Sequence, residues 1–175
     1  MKKILSMVLI LALACGFATA ALAKEYEIPM QGMLMDIPDN FEAILDDNTQ
    51  TDTLVLFQGA DDAARYEFAM GESEKHGEKW LNEMSEAEQD ELFAEYTEDI
   101  YNPSLEIVQS DTLTWMLIHA GNGDEIVYVT VIYGSLCHVG ALRVDGEKLT
   151  DAQIAIVEQM AMSLRMQDLD ELMAQ

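Results

Sequence analysis

The sequence predicts an α+β domain: an antiparallel sheet whose C-terminal meander is packed between helices. Three observations carry this. From Leu105 to Val144, β-rich runs alternate with tight Gly-containing turns, the mark of hairpins. Both faces of that meander are apolar. An antiparallel sheet with one wet face alternates with polar residues instead, so this one needs cover on both sides. Thr150-x-x-Gln153 then has the form of a capping box. It opens a stripe of Ile154, Val157, Ala161 and Leu164, widened by Met160, at helical spacing.

The chain opens "MKKILSMVLILALAC". Lys2 and Lys3 supply a positive start, and an apolar run follows from Ile4 to Ala14. A membrane-spanning helix needs roughly 20 apolar residues. This run is shorter and leads into small residues, the pattern of a secretory signal peptide over residues 1–23. Ala21 and Ala23 satisfy the small-residue rule for cleavage ahead of Lys24. Cys15 is a competing lipidation site, but Ala12-Leu13-Ala14 puts the large residue at the wrong position before it. Release after Ala23 is the expectation, and a lipid-anchored envelope protein is the alternative. The domain is expected over 24–166, with 167–175 a C-terminal tail, and no membrane span remains once the signal is removed.

The net charge is −24, and loss of Lys2 and Lys3 with the leader makes it −26. Nucleic acid is excluded, because phosphates need Lys and Arg counter-charges. An anionic lipid surface is equally disfavoured. Basic partners and divalent cations stay compatible. Of the 2 cysteines only Cys137 survives cleavage, so no internal disulfide can form. Cys137 lies in the apolar run "SLCHVGAL" and reads as a buried small hydrophobe.

The elements follow in order. Met33 to Ile37 is a strand between Gly32 and a turn at Pro38-Asp39-Asn40, and Phe41 to Leu45 a second short one. Asp46 to Asp52 reads as a polar loop. Thr53–Gly59 and Ala64–Met70 form a hairpin. Residues 78–100 carry one broken helix or two short ones. Trp80, Leu81 and Met84 lie on one side, Ser85-x-x-Glu88 has the form of a capping box, and Leu92, Phe93 and Tyr96 share a face. Asn102-Pro103 ends it. Strands follow at Leu105–Ser110, Thr112–Ala120, Asp124–Tyr133 and Leu136–Val144. With Ala120 opposite Asp124 and Tyr133 opposite Leu136, one face carries Leu113, Trp115, Leu117, Val127, Val129, Val131 and Leu142. The other carries Met116, Ile118, Ile126, Tyr128, Val139 and Ala141. A one-residue slip would exchange partners across the sheet, but both sets stay apolar.

This order resembles the PsbP-like fold, an α/β/α sandwich around an antiparallel sheet. The plant photosystem II extrinsic subunit, a yeast nuclear-import factor and exported bacterial domains of unknown function share it. The resemblance covers most of residues 25–166. It is most specific at "GMLMDIPDNF" (Gly32–Phe41) and "IVEQMAMSL" (Ile156–Leu164). These are packing patterns with no catalytic residues to carry over. The resemblance implies a non-enzymatic binding or assembly protein with an unidentified protein partner.

Site chemistry is sparse. In the register above, His119 and His138 share a face but stand six residues apart along it, ~20 Å, too far for one ion. His76 sits in a polar stretch with Glu72, Glu74 and Glu78. Asp46, Asp47, Asn48 and Asp52 offer the oxygens that Ca²⁺ prefers, making an acidic divalent-cation-binding protein the alternative function. Their spacing lacks the Gly and Glu of an EF-hand loop. No cofactor is otherwise expected. Ser135, Cys137 and His138 are close in sequence, yet neighbours in a strand point to opposite faces, so Cys137 and His138 do not meet. No GxSxG or HExxH motif is present. No catalytic residue is assigned. Trp80, Phe93, Tyr96 and Tyr101, with Met30, Met33 and Met35, read as core first and partner surface second.

Overall fold

In the computed structural model, residues 23–167 are described, apart from Met30, Gln50, Thr51, Ala60, Asp61 and Glu74. Ala21, Cys15 and the segment 168–175 lie outside the described residues. The chain runs β1 (Ala23–Ile28), β2 (Met33–Pro38), β3 (Phe41–Asn48), β4 (Asp52–Gly59) and β5 (Ala64–Glu72). A 3-10 turn (Leu81–Glu83) precedes helix α1 (Glu86–Tyr96). Then come β6 (Ser104–Gln109), β7 (Thr114–His119), β8 (Glu125–Ile132), β9 (Ser135–Arg143), helix α2 (Asp151–Ser163) and β10 (Arg165–Met166).

Seven strands form one antiparallel sheet in the order β3-β4-β5-β9-β8-β7-β6. A smaller sheet, β1-β2-β10, is also antiparallel. The long-range step is β5 against β9, from Ala64 opposite Arg143 to Glu72 opposite Ser135. It joins the N-terminal hairpin to the C-terminal meander.

Alternation along these strands sorts side chains into two cores. On the first face, Val55, Phe57, Tyr66, Phe68, Trp115 and Val139 are fully buried. Their cover comes from Ile28, Met33, Met35 and Ile37 of the small sheet, and from Val157, Met160, Ala161 and Leu164. Each such large side chain contributes roughly 1.5–3 kcal/mol by leaving water. Arg165 pins the two covering elements together. It donates to Asp36 Oδ1 (3.1 Å) and to the Ser163 carbonyl (2.9 Å), and pairs with Glu25. On the second face, Met116, Ile118, Val127, Val129 and Val131 pack under Leu81, Met84 and Leu92.

Both helices begin where their capping residues predict. Ser85 Oγ accepts from the Glu88 N–H and Glu88 reaches back to the Ser85 N–H (2.8 Å). Thr150 and Gln153 make the same reciprocal pair. Each pair satisfies backbone donors that the first helical turn leaves open.

Two expectations need correction. The β7–β8 register is one residue off, with Met116 opposite Val129 and His119 opposite Ile126. The cause is the connection. The Ala120 N–H donates to the Glu125 carbonyl (3.1 Å) and the Gly123 N–H to Ala120 (2.9 Å), with Gly123 at φ +80°. The loop is therefore Gly121–Asp124, four residues instead of three. Trp115 and Leu117 thus join Ile126 and Tyr128, while Met116 and Ile118 join Val127 and Val129. The next turn shifts the pairing by two, which leaves faces unchanged: Ile132 stands opposite Ser135. Tyr133 (φ +49°) and Gly134 (φ +87°) make that turn, the left-handed pair a two-residue hairpin needs.

Second, Asp46–Asp52 is mostly strand. β3 runs on to Asn48 and pairs with Thr53, and the Thr49 N–H donates to the Asp52 carbonyl (2.7 Å). A β-bulge between Ala43 and Leu45 puts one extra residue, Ile44, into β3. Before it, Phe41 points into the first core; after it, Leu45 and Asp47 point to the second face. The meander is sandwiched as expected, but α1 reaches only as far as β9, so helices do not cover the whole second face. Leu45 (43 % exposed) and Leu142 (40 % exposed) mark where cover ends.

Candidate functional site

The uncovered half of the second face is formed by β3, β4, β5 and the outer side of β9. Register places Leu45 beside Leu56, Leu56 beside Glu67, and Ala69 between Leu54 and His138. A cavity of about 370 Å³ opens at one end of this surface. Leu54, Ala69, Met70 and Leu136 line it, with Asp47, Asp52 and His138 at its rim. The Asp52 carboxylate lies over Gly71, where a Cβ would stand 2.8 Å from Oδ1, so the missing side chain makes room for the acid.

At the boundary between the covered and open halves, three polar side chains form a chain. Tyr96 Oη lies 2.7 Å from His138 Nδ1, and His138 Nε2 lies 3.1 Å from Glu67 Oε1. The second contact is at ion-pair distance, although the ring N–H is not aimed along it. Burial pushes the Tyr96 phenol well above its ordinary value, and the Glu67 and Glu125 charges add to this. Its proton therefore stays on oxygen, where it can be donated to Nδ1. The His138 ring in turn holds Glu67 below the usual carboxylate range against the opposing effect of burial. A phenol that holds its proton this firmly is a poor proton donor in catalysis and offers no phenolate base. The chain is suited to fixing α1 on the sheet.

The residues predicted from sequence are dispersed. Asp46 lies on the first face, where Tyr26 Oη reaches it at 3.5 Å. Asp47 lies on the second face with Asp52. Among the described residues no group of three His, Cys, Asp or Glu side chains is placed to hold a metal. His119 and His138 do not share a face, because the register slip puts His119 beside α2 and His138 beside α1. His76 lies in a groove with Lys75, Glu88 and Glu95. Cys137 is fully buried in the first core, and its thiol is pushed up by that burial. Ala23, the residue before the expected cut, begins β1 opposite Pro38.

Phe93 and Tyr96 pack on the second core, Trp80 packs against the first, and Tyr101 is exposed. Met33 and Met35 are core residues. The Tyr96–His138–Glu67 chain carries no sequence signal. Its members lie on α1, β9 and β5, and only the β5–β9 pairing brings Glu67 to His138.

No family model matches the chain, and no curated protein matches it by sequence. Among solved structures, the fold is similar to that of cyanobacterial PsbP (CyanoP) from Synechocystis sp. PCC 6803, determined in solution. The TM-score is 0.53 at 13% sequence identity, over 83% of this chain and 93% of that one. The fold is PsbP-like. At this identity the likeness is one of architecture: antiparallel sheets with two helices. No helix among the described residues is long and apolar enough to cross a membrane.

Proposed function

We propose that this chain is an exported, non-enzymatic binding or assembly factor that holds a protein partner on the open half of its seven-stranded sheet. One observation carries the reading: an apolar sheet surface, Leu45, Leu54, Leu56 and Leu142, is left without helical cover beside a surface that α1 seals. Leu45, Leu54 and Leu56 lie side by side on β3 and β4, and an apolar patch of this kind on a strongly acidic surface marks an interaction site. On this face Asp47, Asp52 and Glu67 outweigh Arg65, so the partner is expected to bring basic residues beside an apolar centre. The PsbP-like resemblance supports the same class of role, and the leader-like start over residues 1–23 supports a site that works outside the cytoplasmic membrane. Release after Ala23 is part of this reading, and anchoring through Cys15 is its alternative. Intact-mass measurement of the mature chain separates the two.

The direct test is a photo-crosslinking side chain at Leu56, compared with one at the exposed Ala155 of α2, in the native cells. The expected result is a discrete adduct with a basic protein from position 56 only, lost when Leu45 is changed to Asp. Equal labelling from both positions, or none from position 56, would overturn the reading.

A further inference from the structure

A second concavity lies on the opposite face, away from the open half. It sits between α2 and the strands β6, β7 and β8, with a volume of about 340 Å³. Val108, Leu117, Ile154 and Met162 give it apolar walls. Tyr128 lies at its floor, only 3 % exposed, held edge-to-face against Trp115 with ring centroids 6.2 Å apart. The Tyr128 hydroxyl has no hydrogen-bond partner among the described residues. The ring is buried, while the hydroxyl opens into the groove, where a ligand can reach it.

Two carboxylates flank the phenol, Glu106 from β6 and Glu158 from α2. Neither forms a salt bridge with a described residue. No Lys or Arg is among the lining residues, and His119 is the remaining titratable group. Burial, then Glu158 and Glu106, push Tyr128 up to about 12. Both negative charges therefore act on the cavity floor. Two uncompensated acids over an apolar groove, with a phenol oxygen left open, form a complementary surface for one kind of ligand: a positive charge on an apolar body.

We propose that this groove binds a small amphipathic primary amine. Its ammonium would sit between Glu106 and Glu158 and donate to the Tyr128 oxygen, while its hydrocarbon would lie against Leu117 and Met162. The volume lies at the lower end of the range for small-molecule sites. The ligand gains the charge-assisted hydrogen bonds that three unpartnered acceptors offer. The groove lies on the other face from the proposed partner surface and does not depend on it.

The test is titration of the full chain with phenethylamine, followed by NMR chemical-shift changes, with 2-phenylethanol as the uncharged counterpart. The expected result is saturable binding with shifts centred on Leu117, Tyr128 and Ile154, and no comparable binding of the alcohol. Glu106 and Glu158 are exposed, and Glu158→Gln and Glu106→Gln should each weaken binding by about three- to fivefold. Glu86→Gln, an equal loss of charge on α1, should leave it unchanged. Tyr128→Phe should weaken it by about threefold. The whole chain is acidic, so the Glu86 control separates a site from general attraction of cations. No saturation by about 10 mM, a dissociation constant weaker than any useful site, would overturn the proposal. So would equal weakening by Glu86→Gln, or shifts centred on the open half of the sheet.

Discussion

The Tyr96 hydroxyl stands 2.7 Å from His138 Nδ1, and this bond ties helix α1 to strand β9 across 42 residues of sequence. It lies at the margin of the second core, where packing by Leu92 and Phe93 gives way to the open sheet. Removing the hydroxyl by Tyr96→Phe keeps the ring contact with His138 but leaves a partly buried ring nitrogen without its donor. A loss of about 1 kcal/mol in urea unfolding is expected, with faster amide exchange in α1 than in α2. An unchanged midpoint would show that apolar packing alone docks α1.

Glu67 makes the same junction sensitive to acid. Its folded pKa is held below the ordinary 4.5, chiefly by the His138 ring. A carboxyl depressed in the folded state contributes stability above its unfolded value, lost as pH falls through the folded one. The wild type should therefore lose stability below about pH 4.5 more steeply than Glu67→Gln. Comparison with the variant matters, because protonating many other acids relieves repulsion at the same time. The check is the difference in urea midpoint between the two proteins from pH 6 to pH 3. A constant difference would show that the pair is unformed in solution.

How much of this was legible beforehand follows from which residues speak locally. Ser85 with Glu88, and Thr150 with Gln153, each hold both halves of a capping box within one helical turn, so both helix starts could be read directly. The strands of the meander stood out for the same reason, their apolar runs bounded by Gly turns. The loop at Gly121–Asp124 did not, because three- and four-residue connections use the same residue types, and the choice is made by the Ala120–Glu125 bond. The bulge at Ile44 left no mark either: it needs the partner strand to define it. The open half of the sheet depends on that bulge, which turns Leu45 to the uncovered side. The site at Tyr128 depends on three segments, and only the third dimension joins them.

Gly134 and Gly32 give a paired test of the backbone. Both have positive φ, +87° and +58°. A Cβ on Gly134 would stand 1.9 Å from the Gly77 carbonyl oxygen, whereas nothing lies within 4 Å of one on Gly32. The Gly134 N–H also donates to Lys79 (2.9 Å), so the turn seats the segment leading to α1. Gly32→Ala should cost about 1 kcal/mol, the backbone penalty alone. Gly134→Ala should cost about 3 kcal/mol or more, because backbone must move as well. Equal losses in urea unfolding would mean that segment 77–79 yields freely.

Asp62 is the corresponding polar anchor of the first core. Its carboxylate accepts from the Ala64 N–H (2.9 Å), the Tyr66 hydroxyl (2.7 Å) and the Gln153 amide (2.7 Å). The last bond joins the start of β5 to the first turn of α2, 91 residues apart. Burial pushes this carboxyl up, but those three donors and the nearby Arg143 together bring it below its ordinary 3.8. In Asp62→Ala the Tyr66 hydroxyl, on a fully buried ring, and the Gln153 amide lose their acceptor. Leaving such groups unpaired should cost about 2–3 kcal/mol. Asp62→Asn keeps an acceptor oxygen but not the charge, so it should fall between the two. The depressed pKa adds a pH signature. The advantage of Asp62 over Asn is full above pH 3.8 and shrinks as pH falls through the lower folded value. Denaturation of the three proteins at pH 7 and pH 3 tests both parts. An Asn variant equal to wild type at both pH values would show that the charge is irrelevant and the hydrogen bonds alone hold α2 to the sheet.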